Sequence, residues 1–343
     1  MPFRVCVEKP TVLNIRLKIV TVAIALAFGA ATARADWPKR VFAPYVYLGN
    51  GDNFRITDCD DAIGLKYYTL AFVIADKHNA PSWFGEIPMN RNFYADQIAT
   101  IRRRGGDVIC SFGGADGMEI AIAEKDPIIL QAKYQAVIDQ YKFTWLDFDI
   151  EGSNLDKNFD ASKRRNIVLA ALQRKNPGLV VSYTLPVDPN GISQASRDLL
   201  ADAKAKGVVV HSANIMVMFF GADFLRGGKK EADVGIASAN KAREQILSID
   251  SNVLIGLCPC IGTNGSRDEI FNLDDARVLR AFADKTDWVC SLSFWSMNRD
   301  SEKNRGEDTT SDLPLPSWAF ANAFKSFTSP ANRPTGSETL GHR

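Results

Sequence analysis

The chain has 343 residues, 41 Lys+Arg against 40 Asp+Glu and a formal charge of +1, with 46% apolar and 24% charged residues. Those proportions are ordinary for a globular protein and exclude a collagen-like repeat, a disordered chain and a polytopic membrane protein. With no basic excess, nucleic acid is not an expected partner.

The first segment in chain order does not belong to the fold. Arg4, Lys9, Arg16 and Lys18 precede an apolar run at 19–31, and Ala33-Arg34-Ala35 follows as a small-x-small cleavage pattern. Basic, apolar and small-residue regions in that order predict a secretory signal peptide over residues 1–35. The run falls short of the roughly 20 residues a spanning helix needs. An uncleaved anchor is the alternative. Cleavage would leave a secreted protein, extracellular or periplasmic, without a membrane segment. It would carry 36 Lys+Arg against 39 Asp+Glu, a net charge of −3.

Eight β-rich runs follow, at 40–48, 66–75, 107–114, 144–152, 178–187, 211–221, 253–260 and 287–295, each bounded by Gly, Pro, Asp or Asn. Helical spacing occupies 92–104, 117–142, 159–175, 193–206, 229–247 and 273–284, with a last helix at 316–327. The alternation predicts an α/β fold, a single (β/α)8 TIM barrel over residues 36–328, with a polar tail at 329–343. An open doubly wound sheet would need a G-x-G-x-x-G loop, and SFGGADG at 111–117 lacks that spacing.

Five cysteines remain after residue 35, namely Cys59, Cys110, Cys258, Cys260 and Cys290. An odd number in a chain this long is no disulfide framework, and whether Cys258, Cys260 or Cys290 pair is left open. Cys258-Pro-Cys260 has neither a second Cys pair nor nearby histidines, so no metal site is expected. The three histidines (His78, His211, His342) have no Ser or Cys partner in a nucleophile motif.

The informative run is Thr144-Trp145-Leu146-Asp147-Phe148-Asp149-Ile150-Glu151-Gly152. Strand side chains alternate, so Asp147, Asp149 and Glu151 share one face while Leu146, Phe148 and Ile150 share the other. In a barrel the apolar set packs under the helices. The acids then line the interior up to the C-terminal mouth, where barrel enzymes keep their chemistry. Like charges held so close cannot all ionise, and a raised carboxyl pKa suits a general acid. An edge strand with its acids in water, or a carboxylate metal site, also fits the alternation alone.

LDFDIEG resembles the catalytic signature of glycoside hydrolase family 18, D-x-x-D-x-D-x-E, and other segments agree in order. These are FAPYV, SFGG, VSYTLPV, NIM and LSFWSMNRD, so the likeness runs from about residue 41 to 300 and points to secreted bacterial chitinases. The resemblance implies that Glu151 is the proton donor, Asp149 the carboxyl holding the substrate's acetamido group, and Asp147 a supporting acid. The acetamido group itself would be the nucleophile, in a retaining, substrate-assisted cleavage of β-1,4-linked N-acetylglucosamine polymers. Trp295 matches the aromatic floor beneath the sugar at the cleaved bond. Met218, Phe220 and Ser111 complete the expected substrate contacts. Chitin, or another N-acetylglucosamine polysaccharide, is the implied partner, and no cofactor is required.

The chain departs from the family pattern in places. Thr144 replaces the first Asp, at an odd offset from Glu151 that faces it away from the acids. Phe220 is read as standing in for the tyrosine of Met-x-Tyr, which would remove a hydroxyl donor and lower the rate roughly 10²-fold. Phe219 and Tyr47 stand where related sequences tend to carry Asp. A weakly active or non-catalytic chitin-binding lectin on the same barrel is one alternative function. An endo-β-N-acetylglucosaminidase acting on glycans or peptidoglycan is another, and oligomeric state is left open.

Overall fold

The computed structural model describes Met1 and residues 37–49, 54–301 and 310–329, without the side chains of 266–268. Met1 aside, the expected signal segment lies outside the described residues, as does the tail beyond Ser329.

The first barrel strand comes in two pieces, β1 (Val41–Phe42) and β2 (Tyr45–Tyr47). Between them lies Pro44, which has no N–H to give to a ladder. Next come β3 (Tyr67–Ala75), the excursion β4 (Pro81–Trp83) and β5 (Ile87–Pro88), then β6 (Asp107–Gly113) and β7 (Trp145–Asp149). β8 (Val180–Asp188) carries a short antiparallel β9 (Gly191–Ile192) and is followed by β10 (Val210–Met216) and β11 (Leu254–Cys258). A hairpin, β12 (Gly262–Asn264) and β13 (Ser266–Phe271), precedes β14 (Val289–Leu292). β3, β6, β7, β8, β10, β11 and β14 pair in parallel in chain order. β14 then pairs with β1, and β2 with β3. Because β1 and β2 are halves of one strand, the ring closes at eight, and the fold is a (β/α)8 barrel.

The helices are α1 (Ile56–Ile63), α2 (Ala95–Arg103), α3 (Ile120–Ala123), α4 (Pro127–Tyr141), α5 (Gly152–Asp156) and α6 (Phe159–Lys175). α7 (Gln194–Ala205), α8 (Ala222–Leu225), α9 (Glu231–Ile249), α10 (Leu273–Asp284) and α11 (Ala319–Phe324) complete them. The single helix expected at 117–142 is two. Pro127 opens α4, and the Asp126 carboxylate accepts the free N–H of Ile128 at 2.7 Å, so a new helix starts there. α10 begins with a capping box between Asn272 and Asp275.

Alternation on β7 sorts the core into two layers. Leu146, Phe148 and Ile150 are fully buried between sheet and helices, where Phe148 stacks on Phe112 at 5.1 Å. Each such side chain stabilises the fold by about 1.5–3 kcal/mol relative to exposure. Inside the barrel, Val41, Ala43, Tyr67, Ile109 and Trp145 form an apolar layer at the N-terminal end. Trp37 covers it, with its ring 4.9 Å from Trp145 and 5.3 Å from Tyr67. Above that layer the interior turns polar, and the site begins. The five described cysteines are all buried.

Candidate active site

β7 delivers its acids in order of height. Thr144, below the strand's start, accepts the Trp37 indole N–H at 2.9 Å and donates to Asp107 at 3.3 Å, at the end of the barrel away from the mouth. Asp147 lies at mid-barrel, Asp149 ends the strand, and Glu151 is the residue before α5. Two glycines of the SFGG run permit this arrangement. Gly113 has φ +98°, and a Cβ there would sit 2.1 Å from the Asp149 carbonyl oxygen. The Gly114 N–H donates to that same oxygen at 2.9 Å, which locks the end of β6 to the end of β7.

Asp147 is held by hydroxyls. Ser111 and Ser182 donate to its two oxygens at 2.7 Å, Tyr45 donates at 2.9 Å, and the Thr184 hydroxyl lies at 3.0 Å. The Asn214 amide supports Thr184 from the next strand at 3.1 Å. Burial raises the Asp147 pKa, and these hydroxyls oppose the rise. The Tyr45 phenol is pushed well above its ordinary value, by burial first and then by the charges of Asp147 and Asp149. It therefore acts only as a donor and a wall.

Asp149 and Glu151 are hydrogen-bonded to each other. Burial, the Glu151 and Asp147 charges and that bond hold Asp149 well above the usual carboxyl range. Glu151 is also raised, chiefly by burial, with a further rise from Asp116 and an opposing pull from Asp149. The buried pair thus disfavours a second negative charge. Asp149 Oδ1 is buried without a hydrogen-bond partner. Such an atom is poised for a donor that the protein does not supply.

The acids open into a cavity of about 420 Å³ at the barrel mouth, lined by Asp149, Glu151, Asp116, Trp295, Met216 and Met218 among others. Trp295 lines it beside the acids. The indole stacks on Phe72 at 5.7 Å and 9°, and Tyr47 and Tyr45 pack against it at 5.6 and 6.0 Å. It lies beyond the end of β14, joined to Cys260 by an isolated bridge, so the eighth strand is shorter than expected.

Two expected contacts need correction. Ser111 is fully buried beneath the cleft, and its hydroxyl is spent on Asp147 rather than on a ligand. Phe220 does not line the cleft either; its ring is part of the apolar core. β10 ends at Met216 and alternation continues for one step, so Met216 and Met218 face the cavity while Val217 faces the core. Phe219 then takes φ +53°, which breaks the alternation and turns Phe220 inward. The rate deficit expected from Phe220 has no basis in this position. β10 brings two thioethers to the mouth in place of a phenol.

Sequence reasoning missed Tyr45, Phe72 and Asp116. Tyr45 was legible, because it continues the inward series Val41, Ala43. So was Asp116, a carboxyl in the loop just beyond the third strand. Phe72 was not: β3 shifts register against β6 between Leu70 and Val73, and no pattern announces that.

An acid pair beside an aromatic ring at the mouth of a (β/α)8 barrel defines a glycoside hydrolase class of site. The comparisons make this specific. The catalytic domain of the hyperthermophilic chitinase from Pyrococcus furiosus matches with a TM-score of 0.74 and 30% identity, over 85% of this chain and 95% of that one. The chain belongs to glycoside hydrolase family 18. A family GH18 chitinase catalytic domain from the fern Peteris ryukyuensis shares the fold, at TM-score 0.56 and 15% identity over 84% of this chain and all of that one. The probable bifunctional chitinase/lysozyme of Escherichia coli is 28% identical over 327 residues, 87% of this chain and 35% of that protein. The chain spans about a third to about a half of the length of the curated relatives it matches. No protein-family model matches the chain.

Proposed function

We propose that the protein hydrolyses β-1,4 bonds of chitin or chitin oligomers with retention, using the substrate's acetamido group as nucleophile. The placement of Asp149 and Glu151 together at the cavity wall, with one Asp149 oxygen buried and unpartnered, carries this reading. Glu151, at the cavity surface, donates to the glycosidic oxygen as the bond to the leaving sugar breaks. The unpartnered Asp149 oxygen accepts the acetamido N–H and aligns the carbonyl oxygen for attack on the anomeric carbon. Glu151 gives up its proton in that step, and the positive charge of the cyclised acetamido group offsets the carboxylate left behind; Glu151 then takes a proton back from the water whose oxygen bonds to the anomeric carbon and reopens that ring. Trp295 carries the sugar on its face, and Asp147 fixes Tyr45 and Thr184 beneath.

The charge of the cleft separates chitin from peptidoglycan. Among the described lining residues are three carboxyls, Asp116, Asp149 and Glu151, and no Lys, Arg or His. A neutral polymer enters such a cleft without penalty, while the lactyl carboxylate of muramic acid is repelled. The intact acid pair favours an enzyme over a lectin. Colloidal chitin and purified peptidoglycan, assayed side by side, test this: oligosaccharide release from chitin alone is expected, and release from peptidoglycan alone would overturn it.

We also propose that the protein is a secreted bacterial type, exported with cleavage after Ala35 and with residues 36–328 as its catalytic domain. The basic, apolar and small-residue order of the first 35 residues supports this. N-terminal sequencing of the exported protein should begin at Asp36; an intact Met1 would contradict it.

A further inference from the structure

Two adjacent phenylalanines just beyond β10 have opposite fates. Phe220 is buried in the core, whereas Phe219 stands 57% exposed and lines the cleft. Its backbone lies in the left-handed region at φ +53°, where a bulky residue is rare and persists only if its surroundings impose it. Here they do. The Asn264 side-chain oxygen accepts the Phe219 N–H at 3.1 Å, and the Glu269 carboxylate accepts the N–H groups of Phe220 and Gly221. Asn264 is itself oriented by donating to both oxygens of buried Glu231 at 3.1 Å. Gly265 leaves room for the ring, since a Cβ there would come within 3.3 Å of Phe219 Cδ1. A buried polar frame thus holds an apolar ring out toward solvent, the reverse of what packing alone would do.

Strand order says what the ring faces. In a ring of eight, β7 and β14, which carry Glu151 and Trp295, lie opposite each other. β3 and β10 form the other diameter. A polymer seated between the acid and the indole leaves the site across the β3 side and the β10 side. Phe219 stands on the β10 side, and Phe84, which also lines the cleft, follows β4 in the excursion that β3 leads into.

We propose that Phe219 is the stacking platform for a pyranose ring beyond the one seated on Trp295, and so selects for longer chains. This rests on the hydrolase reading of the same cleft. The apolar C–H face of a hexopyranose packs on an aromatic ring, and a contact of that kind is worth about three- to tenfold in affinity. The test compares wild type with Phe219→Ala, Phe219→Trp and Phe219→Leu on a chitin hexamer and a chromogenic chitobioside. In Phe219→Ala, KM for the hexamer should rise about three- to tenfold with kcat held, and the chitobioside should be unaffected. Trp should restore the hexamer KM and Leu should not. Calorimetry of the hexamer on Glu151→Gln, with and without Phe219→Ala, reads the stacking without turnover. Equal hexamer affinity in both, or rescue by Leu as complete as by Trp, would overturn the proposal. Phe219-dependent binding in a wild type that cleaves nothing would sink the hydrolase reading and leave the platform standing.

Discussion

At the scale of single residues, catalysis turns on the proton that Glu151 carries. Asp149 and Glu151 both titrate above their ordinary range, Asp149 through burial and the Glu151 and Asp147 charges, Glu151 chiefly through burial against an opposing pull from Asp149. Each therefore stays protonated to a higher pH than a free carboxyl, and the acid is lost as pH rises through the raised values. The alkaline limb of kcat/KM should accordingly fall above the usual carboxyl range. Asp116 adds to the rise on Glu151, so Asp116→Asn should move that limb to lower pH on a chitin oligomer. An unmoved or upward limb would mean that the Asp116 charge does not reach the acid. Asp149→Asn keeps the shape and an amide acceptor but removes the carboxylate charge that strengthens the bond from the acetamido N–H, and kcat should drop by about 10²–10³-fold with the fold intact.

At the scale of elements, β7 is placed by what lies on both its sides. Behind Phe148, the Arg165 guanidinium of α6 sits 5.9 Å over the ring and pairs with Glu119 at 3.0 Å, both side chains fully buried. Tyr134 of α4 donates to the same carboxylate. Arg165→Ala would strand a buried carboxylate, and denaturant unfolding should show a loss of about 3–5 kcal/mol. On the mouth side, Gly113→Ala drives a methyl into the Asp149 carbonyl, so activity should fall more steeply than the melting temperature. The eight strands, the helix order and the acid row were all legible, since each follows from period and punctuation. The ends of elements were not. The match of Met218-Phe219-Phe220 to Met-x-Tyr put Phe220 in the cleft, and only the left-handed turn at Phe219 shows otherwise. Ser111 was legible as inward-facing but not as occupied, because its partner Asp147 comes from a different strand. Packing between elements decided both.

At the scale of the molecule, stability and catalysis draw on acids in different places. Away from the cleft floor, burial pushes Glu231 up to about 8 from an ordinary value of 4.5, against the pull of the Asn264 amide. A carboxyl raised in the folded state lends stability below its unfolded value and loses it as pH rises through the folded one. The melting temperature should therefore fall between about pH 5 and 8, and Glu231→Gln should flatten part of that slope; an unchanged slope would remove Glu231 from the account. The barrel itself is one ring whose interior passes from apolar plug through a hydroxyl-lined acid to an open mouth, and everything converges on Glu151. The most direct measurement is turnover of a chromogenic chitobioside or chitotrioside by wild type and Glu151→Gln. Clear wild-type hydrolysis, lowered by about 10²–10⁴-fold in the variant with its melting temperature kept, is what the account predicts. Wild-type activity that the substitution leaves unchanged would contradict it.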